Sequence, residues 1–117
     1  MDLGKLVKAL MNYDVLSARQ WVTDAIRGNI RWSEVACPTN LSVKELTVAA
    51  GVAELLALRM GQFPPAWTKN VTESPETIWL VRSAYTMPRL RRLCEQESPE
   101  PLRKRGILAP PEFLTVA

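Results

Sequence analysis

The chain has 117 residues, 47% hydrophobic and 23% charged, with 15 Lys+Arg against 12 Asp+Glu. That length and balance suit one globular domain (1–117) with one core and argue against disorder throughout. The absence of histidine excludes Ser-His-Asp and Cys-His nucleophiles, a histidine general base and histidine metal ligands.

From the N-terminus, Leu3, Leu6, Val7, Leu10 and Met11 follow the spacing of one helical face, which predicts a first amphipathic helix closing near Asn12. A second is predicted from Val15 to Arg27, capped by Asp14 and stopped by Gly28-Asn29, with Ala18, Trp21, Val22, Ala25 and Ile26 as its buried stripe. Around Trp32 to Val35 the sequence allows one short helical turn, broken by Pro38.

Ser42-Val43-Lys44-Glu45 is a capping box, in which the serine oxygen takes a free backbone N–H and the glutamate reaches back. The helix it opens should run to Met60 and end at Gly61, which tolerates left-handed backbone. Its apolar residues extend nearly all round, so it belongs in the middle of a bundle. Leu46, Ala49-Ala50-Gly51-Val52 and the residues beyond roughly match helix-turn-helix spacing. The reading segment would then be Ala53 to Arg59, which offers almost no donors or acceptors to base edges. One uninterrupted buried helix explains the same residues with fewer assumptions.

Phe63-Pro64-Pro65-Ala66-Trp67 cannot continue a helix. Ser74-Pro75-Glu76 then restarts one over roughly 75–85, with Ser74 as cap, although Thr77 to Val81 also passes for a strand. A helix from about Met87 to Gln96 follows, carrying Leu90, Leu93 and Cys94 inward. Ser98-Pro99-Glu100 opens a short final helix that Gly106 ends, and Ile107 to Ala117 reads as an extended apolar tail. The fold class expected is therefore all-α: a compact bundle of five or six helices around the buried helix at about 42–60. Glu-Ser-Pro-Glu occurs at 73–76 and 97–100, but the sequences that follow differ, so this is one capping solution used twice.

No catalytic, cofactor-binding or metal-binding residue emerges. The five glycines are isolated, so neither a P-loop nor a dinucleotide turn can be written. Two cysteines cannot close a four-ligand zinc site within one chain, and no CxxC spacing supports a site shared across a dimer. Cys37 and Cys94 are expected to be buried, inert thiols. The start, Met1 to Lys5, lacks the pattern of a secretion signal. The most apolar run, Leu46 to Leu58, carries Glu54 and is shorter than the ~20 residues of a membrane span. A cytoplasmic location without membrane contact is the expectation, and homo-oligomers remain open.

Charge is the informative asymmetry. Residues 1–81 balance to zero, and the whole net charge of +3 lies in the last third. Arg89, Arg91 and Arg92 form one cluster there, and Arg103, Lys104 and Arg105 another. Guanidinium forks suit phosphates and carboxylates, so these residues are candidates for a nucleic-acid or acidic-protein contact; a solvated helix surface is the plain alternative. Trp67, after two prolines, either anchors a partner or pins its loop. Phe113, in the tail, either packs on its own domain or docks in a partner.

At Val52 to Ala57, Pro64-Pro65-Ala66-Trp67 and Leu102-Arg103-Lys104-Arg105-Gly106 through Pro110-Pro111-Glu112-Phe113-Leu114, the chain resembles a group of small uncharacterised bacterial helical proteins. Some of them are associated with toxin–antitoxin operons. The resemblance covers the C-terminal two-thirds and implies an antitoxin-like or accessory role. The expected function is non-enzymatic: a protein–protein interaction module that restrains a partner, a nearby-encoded toxin among the candidates. Its surface would comprise Trp67, Arg89, Arg91, Arg92, Arg103, Lys104, Arg105 and Phe113. The alternative is nucleic-acid binding, with the arginine clusters on phosphates.

Overall fold

A computed structural model describes residues 2–115, the side chain of Tyr85 excepted. Helix α1 (Leu3–Met11) starts at Asp2, whose carboxylate accepts the Lys5 N–H at 3.1 Å. Helix α2 (Val15–Arg27) starts in the same way at Asp14, on the Ser17 N–H. Each cap satisfies a backbone donor that the first helical turn leaves free. In α2 the inner stripe is narrower than the sequence suggested. Ala18, Val22 and Ala25 are buried, Trp21 is half-buried, and Ile26 is exposed.

Helix α3 (Val43–Arg59) carries both arms of the predicted capping box, Ser42 Oγ to the Glu45 N–H and Glu45 Oε1 to the Ser42 N–H. It ends before Gly61, whose φ of 68° is the left-handed step that glycine takes without strain. Every residue from Thr47 to Ala57 is buried, so α3 is the central element. On one side it meets Leu3, Leu6, Val7 and Leu10 of α1; on the other it meets Leu102 and Ile107. Gly51 lies at that second contact. A Cβ there would stand 2.9 Å from Leu102 Cδ2 and 3.0 Å from Ile107 Cδ1, so close approach offsets glycine's poor helix propensity.

Between α2 and α3 a 3-10 turn (Trp32–Glu34) buries Trp32. Gln62, just past α3, takes the Trp32 N–H at 2.9 Å and donates to the Ile30 carbonyl at 3.0 Å. A second 3-10 turn (Ala66–Asn70) follows the paired prolines.

The expected helix at 75–85 does not form. Ser74 Oγ accepts the Glu76 N–H in a local turn instead of capping a helix. Ile78–Trp79 forms strand β1, and Arg82–Tyr85 a third 3-10 turn. The strand pairs in parallel with β2 (Ile107–Leu108), Ile78 opposite Ile107 and Trp79 opposite Leu108. Flanking bonds from Ser74 N–H to the Arg105 carbonyl and from Leu80 N–H to the Leu108 carbonyl extend the pairing. Parallel strands need a long crossover, and α4 (Pro88–Glu97) with α5 (Glu100–Arg103) supplies it.

Ser98 does not cap α5 either. Its buried hydroxyl accepts the Ala109 N–H at 3.0 Å and shares its single proton between the carbonyls of Cys94 and Ala109, stapling the end of α4 to the residue that follows β2. The described residues are thus mostly helical with one small parallel pair, and the Cα radius of gyration of 13.2 Å is close to the ~13 Å of a compact chain of this length.

Candidate interaction surface

The tail is not a free end as far as it is described. Ile107, Ala109, Phe113 and Leu114 are buried. Arg59, in the last turn of α3, donates to the carbonyls of Phe113 and Pro111. Burial lowers the Arg59 guanidinium from its ordinary value. The clamp places Phe113 in the core; Val116 and Ala117 lie outside the described residues. Trp67 is also committed internally. It is half-buried, and its Nε1–H donates to the Val35 carbonyl at 2.9 Å, so it ties its loop to the segment before α3.

The second basic cluster divides. Arg105 is buried at 3% exposure. It donates from Nη1 to the Pro101 carbonyl at 2.8 Å and to Glu54 at 3.4 Å, and from Nη2 to the Thr68 carbonyl at 2.9 Å. It therefore joins α3, the second 3-10 turn and α5, and is no surface group. Lys104, half-exposed, completes the network with Nζ 2.7 Å from Glu54 Oε2. Burial pushes the Glu54 carboxyl up, but the hydrogen bonds from Lys104 and Arg105, with their charges, outweigh it and hold the group below its usual value of 4.5. Glu54, the lone charge inside an apolar helix, was the sequence signal for this network, because a buried charge requires a partner. Arg103 remains exposed and donates to the Gln96 carbonyl at the end of α4, where cationic groups also meet the helix dipole favourably.

The first cluster stays on the surface. Along α4, Cys94 is buried and Leu90 and Leu93 are half-buried, while Arg89, Arg91, Arg92, Glu95 and Gln96 are exposed. Arg91 pairs with Glu95 at 3.3 Å and lies 5.2 Å from the centre of the Trp79 ring, a cation–π arrangement. Arg89, Arg92 and Gln96 follow the i, i+3, i+7 spacing of one outer face. No ion pair among the described residues engages Arg89 or Arg92. Met87, which precedes the helix, is 52% exposed. The thiols also part company. Burial raises the Cys94 thiol, whereas Cys37, expected inside, is exposed.

Among the described residues, no three His, Cys, Asp or Glu side chains gather to hold a metal ion, and no helix is long and apolar enough to cross a membrane. Comparison of the chain with family models, curated proteins and solved structures found no match.

Proposed function

We propose that the chain is a non-enzymatic protein–protein interaction module that binds and restrains a partner protein, as an antitoxin does, in a bacterial cytoplasm. The outer face of α4 is the contact surface. One observation carries this reading: Arg89 and Arg92 are exposed and without ion pairs among the described residues, beside exposed Met87 and the Arg91–Trp79 stack. Arginine, methionine and tryptophan are the residue types that protein interfaces favour. Guanidinium groups free of internal carboxylates are available to an acidic partner. Trp67, Arg105 and Phe113 make their contacts within the fold, and exposed Arg103 bonds to the end of α4.

Nucleic-acid binding is the second reading, because the same guanidinium groups fit phosphates. The two separate on one experiment. Tagged wild-type chain and the Arg89→Glu/Arg92→Glu variant are used for capture from the source cell with nuclease present. A stoichiometric protein held by the wild type and lost in the variant supports the first reading. Nucleic acid recovered only without nuclease, with retention falling steeply as salt rises, supports the second. Equal capture by both chains removes α4 from the mechanism.

A further inference from the structure

A cavity of about 440 Å³ opens between the α1–α2 turn, the third 3-10 turn and the C-terminal segment. That volume lies within the range of small-molecule sites. Leu80, Val81, Phe113 and Leu114 contribute apolar walls, and three charged side chains reach it: Arg19, Arg82 and Glu112. Arg82 lies 5.4 Å from the centre of the Tyr13 ring. One positive charge is therefore in excess in a cleft whose other lining mixes these apolar walls with Asn12, Tyr13 and Ser83.

The walls are held in an unusual way. Tyr13 and Leu114 line the cavity, and each has φ of 58°, left-handed backbone that bulky side chains rarely adopt. At Tyr13 the bonds from its own N–H to Leu10 and from Asp14 N–H to Ala9 close α1 in a manner that usually employs glycine. A tyrosine in that place sets an aromatic ring beneath Arg82. Strained residues of this kind gather at ligand clamps and fix them in advance.

We propose that this cavity binds a small amphipathic monocarboxylate, with its apolar body against Leu80, Phe113 and Leu114 and its carboxylate meeting Arg19 and Arg82. Charge and lining select this class. The net charge of +1 from Arg19, Arg82 and Glu112 matches a monoanion, and the apolar walls reward a ligand with a hydrophobic body, which inorganic phosphate lacks. The inference is independent of the α4 surface, since neither Arg89 nor Arg92 lines the cavity.

The test is a 1H–15N NMR titration of the full chain with 4-phenylbutyrate, its neutral amide 4-phenylbutanamide, and an acetylated tripeptide ending in phenylalanine. The expected result is saturable shifts confined to Tyr13–Val15, Leu80–Ser83 and Phe113–Leu114 with the acid. The amide should bind about tenfold more weakly, as loss of a charge-assisted contact implies. Arg19→Gln and Arg82→Gln should each weaken the acid by a similar factor. Arg19→Gln leaves the Tyr13–Arg82 contact in place, so it separates loss of the anion contact from loosening of the wall. Equal binding of acid and amide, shifts elsewhere, or no effect of either substitution would overturn the proposal. Tighter binding of the peptide than of the free acid would overturn the small-molecule assignment.

Discussion

Replacing Arg105 by methionine keeps the apolar stem of the side chain and removes its guanidinium from the interior. Two hydrogen bonds to backbone carbonyls, 2.8 Å to Pro101 and 2.9 Å to Thr68, are lost, at ~1.5–3 kcal/mol each for a charged donor. Glu54 keeps Lys104 at 2.7 Å, so its carboxylate is not left alone. Nε of Arg105 is buried and has no partner among the described residues, and removing it returns ~1–2 kcal/mol of desolvation. The net loss is then ~2–4 kcal/mol, where an exposed arginine would change stability by less than about 0.5 kcal/mol. For a chain of this length a loss of 1 kcal/mol lowers Tm by about 4 °C, so a fall of ~10 °C is expected. Urea unfolding followed by tryptophan fluorescence reads the change, because Trp32 is 1% exposed and reports on the core. A loss below ~1 kcal/mol with unchanged m-value would refute the structural role of Arg105.

Four further outcomes follow from the same geometry. The stability gap between wild type and Glu54→Gln should be constant near neutral pH. It should close as pH falls below about 4.5, since a carboxyl lowered by folding stabilises above its unfolded value and loses that contribution through its folded one; a gap that persists in acid would contradict this. Gly51→Val should cost ~1–3 kcal/mol in the same urea assay, because its branched side chain would have to displace the buried ends of Leu102 and Ile107 and meet the Pro101 carbonyl behind them. Ser98→Ala should cost ~1–3 kcal/mol by stranding the buried Ala109 N–H. With an aromatic disulfide reagent one thiol, Cys37, should react promptly, and Cys94 only at the rate of unfolding.

What the sequence disclosed and what it concealed divide along the distance over which each element is decided. Helices α2 and α3 were readable to within a residue because their limits lie in local caps and stops, Asp14, the Ser42–Glu45 box and Gly61, while α1 was readable from its apolar spacing and its Asp2 cap emerged only with the structure. Strand β1 was legible only as the alternative at Thr77 to Val81, because its partner Ile107–Leu108 arrives only after two intervening helices, and Ser74-Pro75-Glu76 carries the same local signal in a turn as at a helix start. The two basic clusters looked alike as compositions. Only the packing of α5 on α3 turns Arg105 inward to Glu54 while Arg103 stays out. Trp67 and Phe113 were undecided between partner and self for the same reason: their contacts, Val35 and Arg59, lie 32 and 54 positions away. The cavity beside Tyr13 had no sequence signal, since it is assembled from three separated segments.

The outer face of α4 as a partner-binding surface is tested most directly by site-specific photo-crosslinking in the living source cell. The crosslinking side chain replaces Gln96, which shares the exposed face of Arg89 and Arg92 and leaves both arginines in place. A second chain carries it at Lys44, exposed in the first turn of α3. The expected result is one discrete protein adduct from position 96, lost when Arg89→Glu/Arg92→Glu is added, and none from position 44. No protein adduct from position 96, or the same adduct from both positions, would contradict the proposed surface.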